Sequence, residues 1–197
     1  MLNRFAKREA PYPLVVGMTG VKLGDRFVQV GCANGGPLAA IAAKVGLSGH
    51  ATAVVPDEAS AARARKAAAH AGVLVEVEVA PSTKLPLEDA SVDVAIVDDM
   101  AGAFSAMTDQ DRGATVRELA RVVRPGGRAM IIGAAPREGL AALLSRAPQG
   151  PSLTASGDAA RVLEADGFRA ARTLGQREGL IFVEGIKPRS TSESGGQ

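Results

Sequence analysis

Apolar positions along this chain switch between two periods, and the switching orders the elements. Residues 26–31, RFVQVG, form a short apolar run closed by glycine, and the CANGGPLAAIAAKVG that follows takes a helical spacing. The pattern predicts strand, turn, helix. Gly36 followed by Pro37 suits the helix start, because proline at the first helical position gives up a donor that would have no partner there. Residues 51–55 predict a second strand, and Asp57 is expected to cap a helix through ASAARARKAAAHAG that stops at Gly72. Residues 73–79, VLVEVEV, carry Glu76 and Glu78 on one face and predict an edge strand. Residues 92–97, VDVAIV, are more uniformly apolar and predict a central one.

Further on, Thr108 with Asp111 opens a helix through ATVRELARVV, which the turn Arg124-Pro125-Gly126-Gly127 should end before a fifth strand at 128–132. A helix at about 158–165 precedes Gly167. The stretch FRAARTLGQREGLIFVEGIK predicts two strands, near 168–174 and 180–186, joined by a short polar turn. Strands alternating with helices and ending in a hairpin imply an α/β architecture, an open and mostly parallel sheet covered on both faces. No internal repeat or interdomain linker interrupts the series, so residues 1–187 are expected to form a single domain. The polar residues 188–197 are expected to be a disordered tail.

Composition narrows the function classes. At 197 residues the chain suits one core, and 46% hydrophobic with 22% charged residues is a globular balance. Twenty-three Lys and Arg against 21 Asp and Glu leave +2, without a basic stripe, so no nucleic-acid partner is implied. Cys32 is the only cysteine, which excludes an internal disulfide and fits the reducing cytoplasm, and His50 and His70 are too few for a metal cluster. The start MLNRFAKREAPYPLVVGM is broken by Pro11, Pro13 and Gly17, a poor signal peptide, and no apolar run reaches membrane-helix length.

In such a sheet ligands bind outside the carboxyl ends of the strands, where the strand order reverses, which points to the first strand-turn-helix unit. There Gly31, Gly35 and Gly36 allow a tight turn and a close approach of backbone to ligand, and the helix start offers free N–H groups. The same glycines also serve a turn that needs them for its dihedrals alone. Asp98 and Asp99 follow the fourth strand, and adjacent residues of an extended chain face opposite sides, so at most one should face a pocket there and act as base or cation partner. Phe104 and Met107 lie just past them, suited to core packing or to closing over a ligand.

Three segments carry a resemblance. GDRFVQVGCANGGPLAAIAAKVG resembles the first motif of the class I S-adenosylmethionine-dependent methyltransferases, KLPLEDASVDVAIV their approach to the fourth strand, and RELARVVRPGGRAMII their fifth-strand motif. With the hairpin these span about residues 20–187 and look like the compact small-molecule branch that includes the ubiquinone and menaquinone methyltransferases. The resemblance implies a Rossmann-like, doubly wound, seven-stranded sheet in which only the last strand is antiparallel. It also implies S-adenosylmethionine as cofactor, and a cofactor site over Gln29, Gly31, Cys32, Ala33, Gly35, Val55, Pro56, Asp57, Pro81, Ser82 and Asp98. Cys32 stands where the family often has a packed, unreactive cysteine.

Four positions depart from the family pattern. Gln29 stands for an acidic residue at the end of the first strand, and Ala33 for the middle glycine of the loop. Val55 occupies the place of the carboxylate that accepts the ribose hydroxyls, and Pro81 that of the carboxylate that meets the adenine amino group. Each polar ligand group left without a partner costs about 1–3 kcal/mol, so S-adenosylmethionine is expected to bind weakly or not at all, and Val55→Asp to strengthen binding. Asp57 or Glu58 offers a replacement ribose acceptor, although a helix cap accounts for Asp57 as well. The leading reading is a methyltransferase acting on a small or partner-presented acceptor. The second is a non-catalytic relative that binds another ligand or scaffolds a partner, and a dinucleotide oxidoreductase is disfavoured because G-x-G-x-x-G spacing is absent.

Overall fold

The structure, a computed structural model, describes residues 12–136 and 152–189. The chain runs α1 (Pro13–Thr19), β1 (Arg26–Val30), α2 (Gly35–Val45), β2 (His50–Val55), α3 (Glu58–Ala71), β3 (Glu76–Val79), β4 (Val92–Asp99), α4 (Asp109–Val122), β5 (Val123–Ala134), α5 (Leu153–Ser156), α6 (Asp158–Ala165), β6 (Arg169–Arg177) and β7 (Leu180–Ile186). Seven strands form one sheet in the order β3-β2-β1-β4-β5-β7-β6. Strands β1 to β5 are mutually parallel, and β7 inserts antiparallel between β5 and β6. The expected doubly wound sheet with a terminal hairpin is therefore what the chain forms. Of the expected tail, residues 190–197 lie outside the described residues.

Alternation along the central strands builds two cores. Phe27, Val55, Ile96, Met130 and Phe182 face α1–α3, whereas Val28, Val30, Val97, Ile131 and Val183 face α4–α6. Strands covered on both faces read as continuous apolar runs, which is why 92–97 reads as central. No helix among the described residues is long and apolar enough to cross a membrane.

Caps set most boundaries where the sequence places them. Asp57 Oδ1 accepts the Ser60 N–H at 2.7 Å and Thr108 Oγ1 accepts that of Asp111 at 3.1 Å, while Gly72 ends α3 at φ 68°. Other features differ from the expectation. Helix α2 begins at Gly35, not at Gly36–Pro37, because Asn34 Oδ1 accepts the Gly36 N–H at 3.2 Å and caps it earlier. Strand β3 is shorter than 73–79: the Val73 N–H closes α3 on Ala68 O at 3.0 Å, and pairing starts at Glu76. The turn Arg124–Gly127 lies inside β5, whose partner register jumps from Val92↔Val123 to Val94↔Arg128, so the four residues loop out and the ladder resumes. Helix α1 is unforeseen; Pro13, which breaks the apolar run, sits at its start and lays Val15 on the core.

Candidate functional site

The chain leaves β1 toward β2 and β3 on one side and returns through β4 and β5 on the other, so β1 and β4 are neighbours whose carboxyl ends border a crevice. Gly31 makes this junction close. Its φ is 84°, its N–H donates to Val54 O at 2.9 Å, and a Cβ there would stand 3.1 Å from Asp98 O. The next turn is tied to β4: Ala33 N–H donates to Asp98 Oδ2 at 2.8 Å, and Met100 N–H to Oδ1 at 3.2 Å. Burial pushes the Asp98 carboxyl above its ordinary value, against these two hydrogen bonds and with the help of the Asp99 charge.

Gln29 is buried, and its Nε2 donates to Gly31 O at 3.1 Å. An ionised carboxylate in its place would have no proton to give, so the amide fastens the loop from below. Cys32 is buried and its thiol is pushed up to about 11, by burial first and then by the Asp98 charge, with Arg63 working the other way; it is packed, as the resemblance implies. The glycines divide by role. A Cβ on Gly35 would fall 2.2 Å from Ala67 Cβ, which makes this residue the close contact of α2 with α3, and one on Gly36 would enter the Tyr12 ring.

Between the strand ends lies a pocket of about 80 Å³, with Gly31, Pro56, Ser82, Asp98, Phe104 and Met107 on its wall and Val30, Val54, Ala80, Val97 and Ala103 completing it. Two expected positions are displaced from it by one residue. Val55 is 1% exposed and packs with Ala61 and Ala64 in the α2–α3 core, so Pro56 faces the pocket instead. Pro81 is exposed while Ala80 and Ser82 on either side line the wall. Gln29, Cys32, Ala33 and Gly35 do not line this pocket, and Asp57 caps α3. Its neighbour Glu58 pairs with Arg65 at 2.5 Å.

Asp99 turns to the opposite side, as the pleat requires. Its Oδ1 accepts the Ser105 N–H at 3.0 Å and its Oδ2 the Ser105 hydroxyl at 2.5 Å, and Ser105 Oγ accepts Leu153 N–H at 3.0 Å. The carboxylate is thus a strut for the segment after β4. Phe104 is 2% exposed and belongs to the core while also walling the pocket. Sequence reasoning missed Thr115, fully buried on α4, whose Oγ1 lies 2.9 Å from Ser82 Oγ. A threonine in mid-helix gives no local signal of a partner 33 residues away.

A wider groove of about 670 Å³ opens at the other end of the sheet, between the carboxyl ends of α2 and α3. On its wall the exposed His50 and Glu76 side chains are hydrogen-bonded, 3.0 Å apart. Among the described residues no three His, Cys, Asp or Glu gather as a metal site.

The methyltransferase domain family matches residues 27–127. The chain is 31% identical over 115 residues to a 27-O-demethylrifamycin SV methyltransferase of Amycolatopsis mediterranei, covering 58% of this chain and 40% of that protein. It spans about two fifths of the length of the curated relatives it matches. Among solved structures it resembles a SAM dependent methyltransferase from Aquifex aeolicus, with TM-score 0.69 and 22% identity over 91% of this chain and 95% of that one. It also resembles the cyclase SpnF, with TM-score 0.67 and 19% identity over 89% of this chain and 79% of that one. These two likenesses bear on the fold, and the second shows that one fold carries differently named activities.

Proposed function

This chain belongs to the methyltransferase domain family, whose cofactor is S-adenosylmethionine, and on that premise we propose that it transfers a methyl group to a small-molecule or partner-presented acceptor at the β1/β4 crevice. The observation that carries the reading is the pocket at the strand-order reversal, where Gly31 lets the β1 turn approach the Asp98 backbone closely and the wall is apolar apart from Ser82 and Asp98. At about 80 Å³ it is well below the roughly 300–1,000 Å³ of a whole-ligand site. It encloses one end of a ligand, and the rest lies over the rim formed by Gly31 and Pro56.

Bound there, S-adenosylmethionine supplies an electrophilic sulfonium methyl. The chain's own part is alignment and exclusion of water. Asp98 holds the Gly31–Ala33 turn against Met100 through two backbone N–H groups, which fixes the floor of the crevice. Both carboxylates after β4 anchor backbone N–H groups, Asp98 on the wall and Asp99 on the opposite side. An acceptor that reacts without a general base, such as a thiol, an amine or an already ionised oxygen or carbon, suits this site. The reading includes residues 1–187 as one domain working in the cytoplasm, with neither nucleic acid nor membrane as partner. The non-catalytic reading is not favoured by the family match.

Melting the protein with S-adenosylmethionine or S-adenosylhomocysteine tests the proposal. A ligand at 100 times its dissociation constant adds about 2.7 kcal/mol of stability. With no carboxylate on the wall where the ribose is expected, the shift should appear at millimolar and be slight at micromolar ligand. No shift with either compound at millimolar concentration would refute the reading.

A further inference from the structure

We propose that the groove beside the amino ends of β2 and β3 is where a second copy of this chain docks, the two copies being related by a two-fold axis. The surface around it is apolar although it is open to water. Leu23, Leu47 and Leu74 are the leucines exposed among the described residues, at 74%, 90% and 79%, and the turns before β1, β2 and β3 bring them to one end of the sheet. Leu47 and Leu74 line the groove with Val45, Val73 and Val75. Leu23 Cδ1 adjoins it, 2.8 Å from where a Cβ on Gly46 would stand. Such a cluster marks a contact surface, because every leucine left in water forgoes the gain of its burial.

Charge and shape select the occupant. Helices α2 and α3 both end at the groove, so their last carbonyls bring negative partial charge to it, and Lys44 and His70, exposed in those same last turns, set basic side chains beside it. On the wall His50 and Glu76 satisfy each other at 3.0 Å, so covering them leaves neither alone. A partner of one sign would match half of this surface, whereas a second copy offers both signs in return. Shape agrees with charge. The patch holds a hole, the groove of about 670 Å³, and a knob, the nearly bare Leu47. In a two-fold contact residue i meets residue j of the other copy and j meets i, so Leu47 of each copy enters the groove of the other against its Leu74. The β1/β4 crevice lies at the opposite end of the sheet and stays open in both copies, and the proposal does not depend on how that crevice is read.

Sedimentation equilibrium of the unaltered chain across the micromolar range tests this, with the mass of two chains as the expected result. Leu47→Lys and Leu74→Glu should each raise the dissociation constant of the dimer by roughly tenfold or more. Mixed in equal amounts, the two variants should associate about tenfold more tightly than either does alone. The mixed pair places opposite charges at one of the two symmetric contacts and keeps leucines at the other. Both side chains are exposed in the single chain, so melting temperatures near that of the unaltered chain at dilution establish that the variants are folded. A two-chain mass that neither variant weakens, or a mixture no tighter than its components, would overturn the proposal. A single-chain mass throughout the range would overturn it as well and assign the groove to another protein or to a small apolar ligand.

Discussion

One residue separates the position where the family places a ribose-binding carboxylate from the position that faces the crevice. Val55 lies under α3 at 1% exposure, and Pro56 is on the wall. A carboxylate at 55 would be buried among alanines without a partner, which costs roughly 3–5 kcal/mol. Val55→Asp is therefore expected to lose stability on that scale in urea, rather than simply to strengthen binding. Pro56→Asp should unfold within about 1 kcal/mol of the unaltered chain, the scale of losing a proline's restraint on the unfolded state. Its added acceptor should tighten S-adenosylhomocysteine by roughly tenfold. Equal affinity in Pro56→Asp and the parent would show that residue 56 does not meet the ligand.

At the scale of elements, α4 holds the segment that leads into β4. Arg121 donates from Nη1 to Leu87 O at 2.7 Å and from Nη2 to Leu85 O at 3.0 Å, and pairs with Asp89 and Glu118, each at 2.8 Å. Glu118 Oε2 in turn accepts the Leu85 N–H at 2.7 Å. A planar fork fits these four acceptors and an ammonium does not, so Arg121→Lys should recover little of the roughly 1–3 kcal/mol that Arg121→Ala removes. The hydrogen bond from Arg121 is the main reason the Glu118 carboxyl sits below its ordinary value; burial opposes it, and the Leu85 N–H assists. A carboxyl depressed by folding adds stability above its unfolded value, and the gain is lost as pH falls through the folded one. The difference in urea midpoint between parent and Arg121→Ala should thus shrink between about pH 5 and about pH 3, as the carboxyl takes up its proton. A constant difference would remove Glu118 from the explanation.

Across the whole molecule the crevice exists because β1 and β4 are neighbours in the sheet although 61 residues separate Val30 from Val92. The central strands β1, β4 and β5 are buried on both faces, while β3 and β6 form the edges. Amide exchange should therefore be slowest in β1, β4 and β5 and faster in β3 and β6. Bound S-adenosylhomocysteine should add protection at residues 31–33 and 98–107, the two segments that Asp98 ties together. Protection confined to the groove beside His50 and Glu76 would move the site to the other end of the sheet.

Local chemistry made much of this legible in the sequence alone. Asp57, Thr108 and Gly72 set helix ends through their own side chains or dihedrals, and the apolar runs at 26–31 and 92–97 announced strands covered on both faces. The opposed directions of Asp98 and Asp99 followed from the pleat. What depended on approach in space was settled by the tertiary structure. Gly35 is glycine because of Ala67 on another helix, and Ser82 acquires a partner because α4 brings Thr115 to 2.9 Å from it. Of Val55 and Pro56, both expected at the site, Pro56 lines the pocket and Val55 is buried in the core, because the wall is set by which residue of the strand end turns to the crevice. A one-residue shift in a strand reverses the face a side chain occupies, and packing against α2 and α3 fixes which of the two phases is adopted.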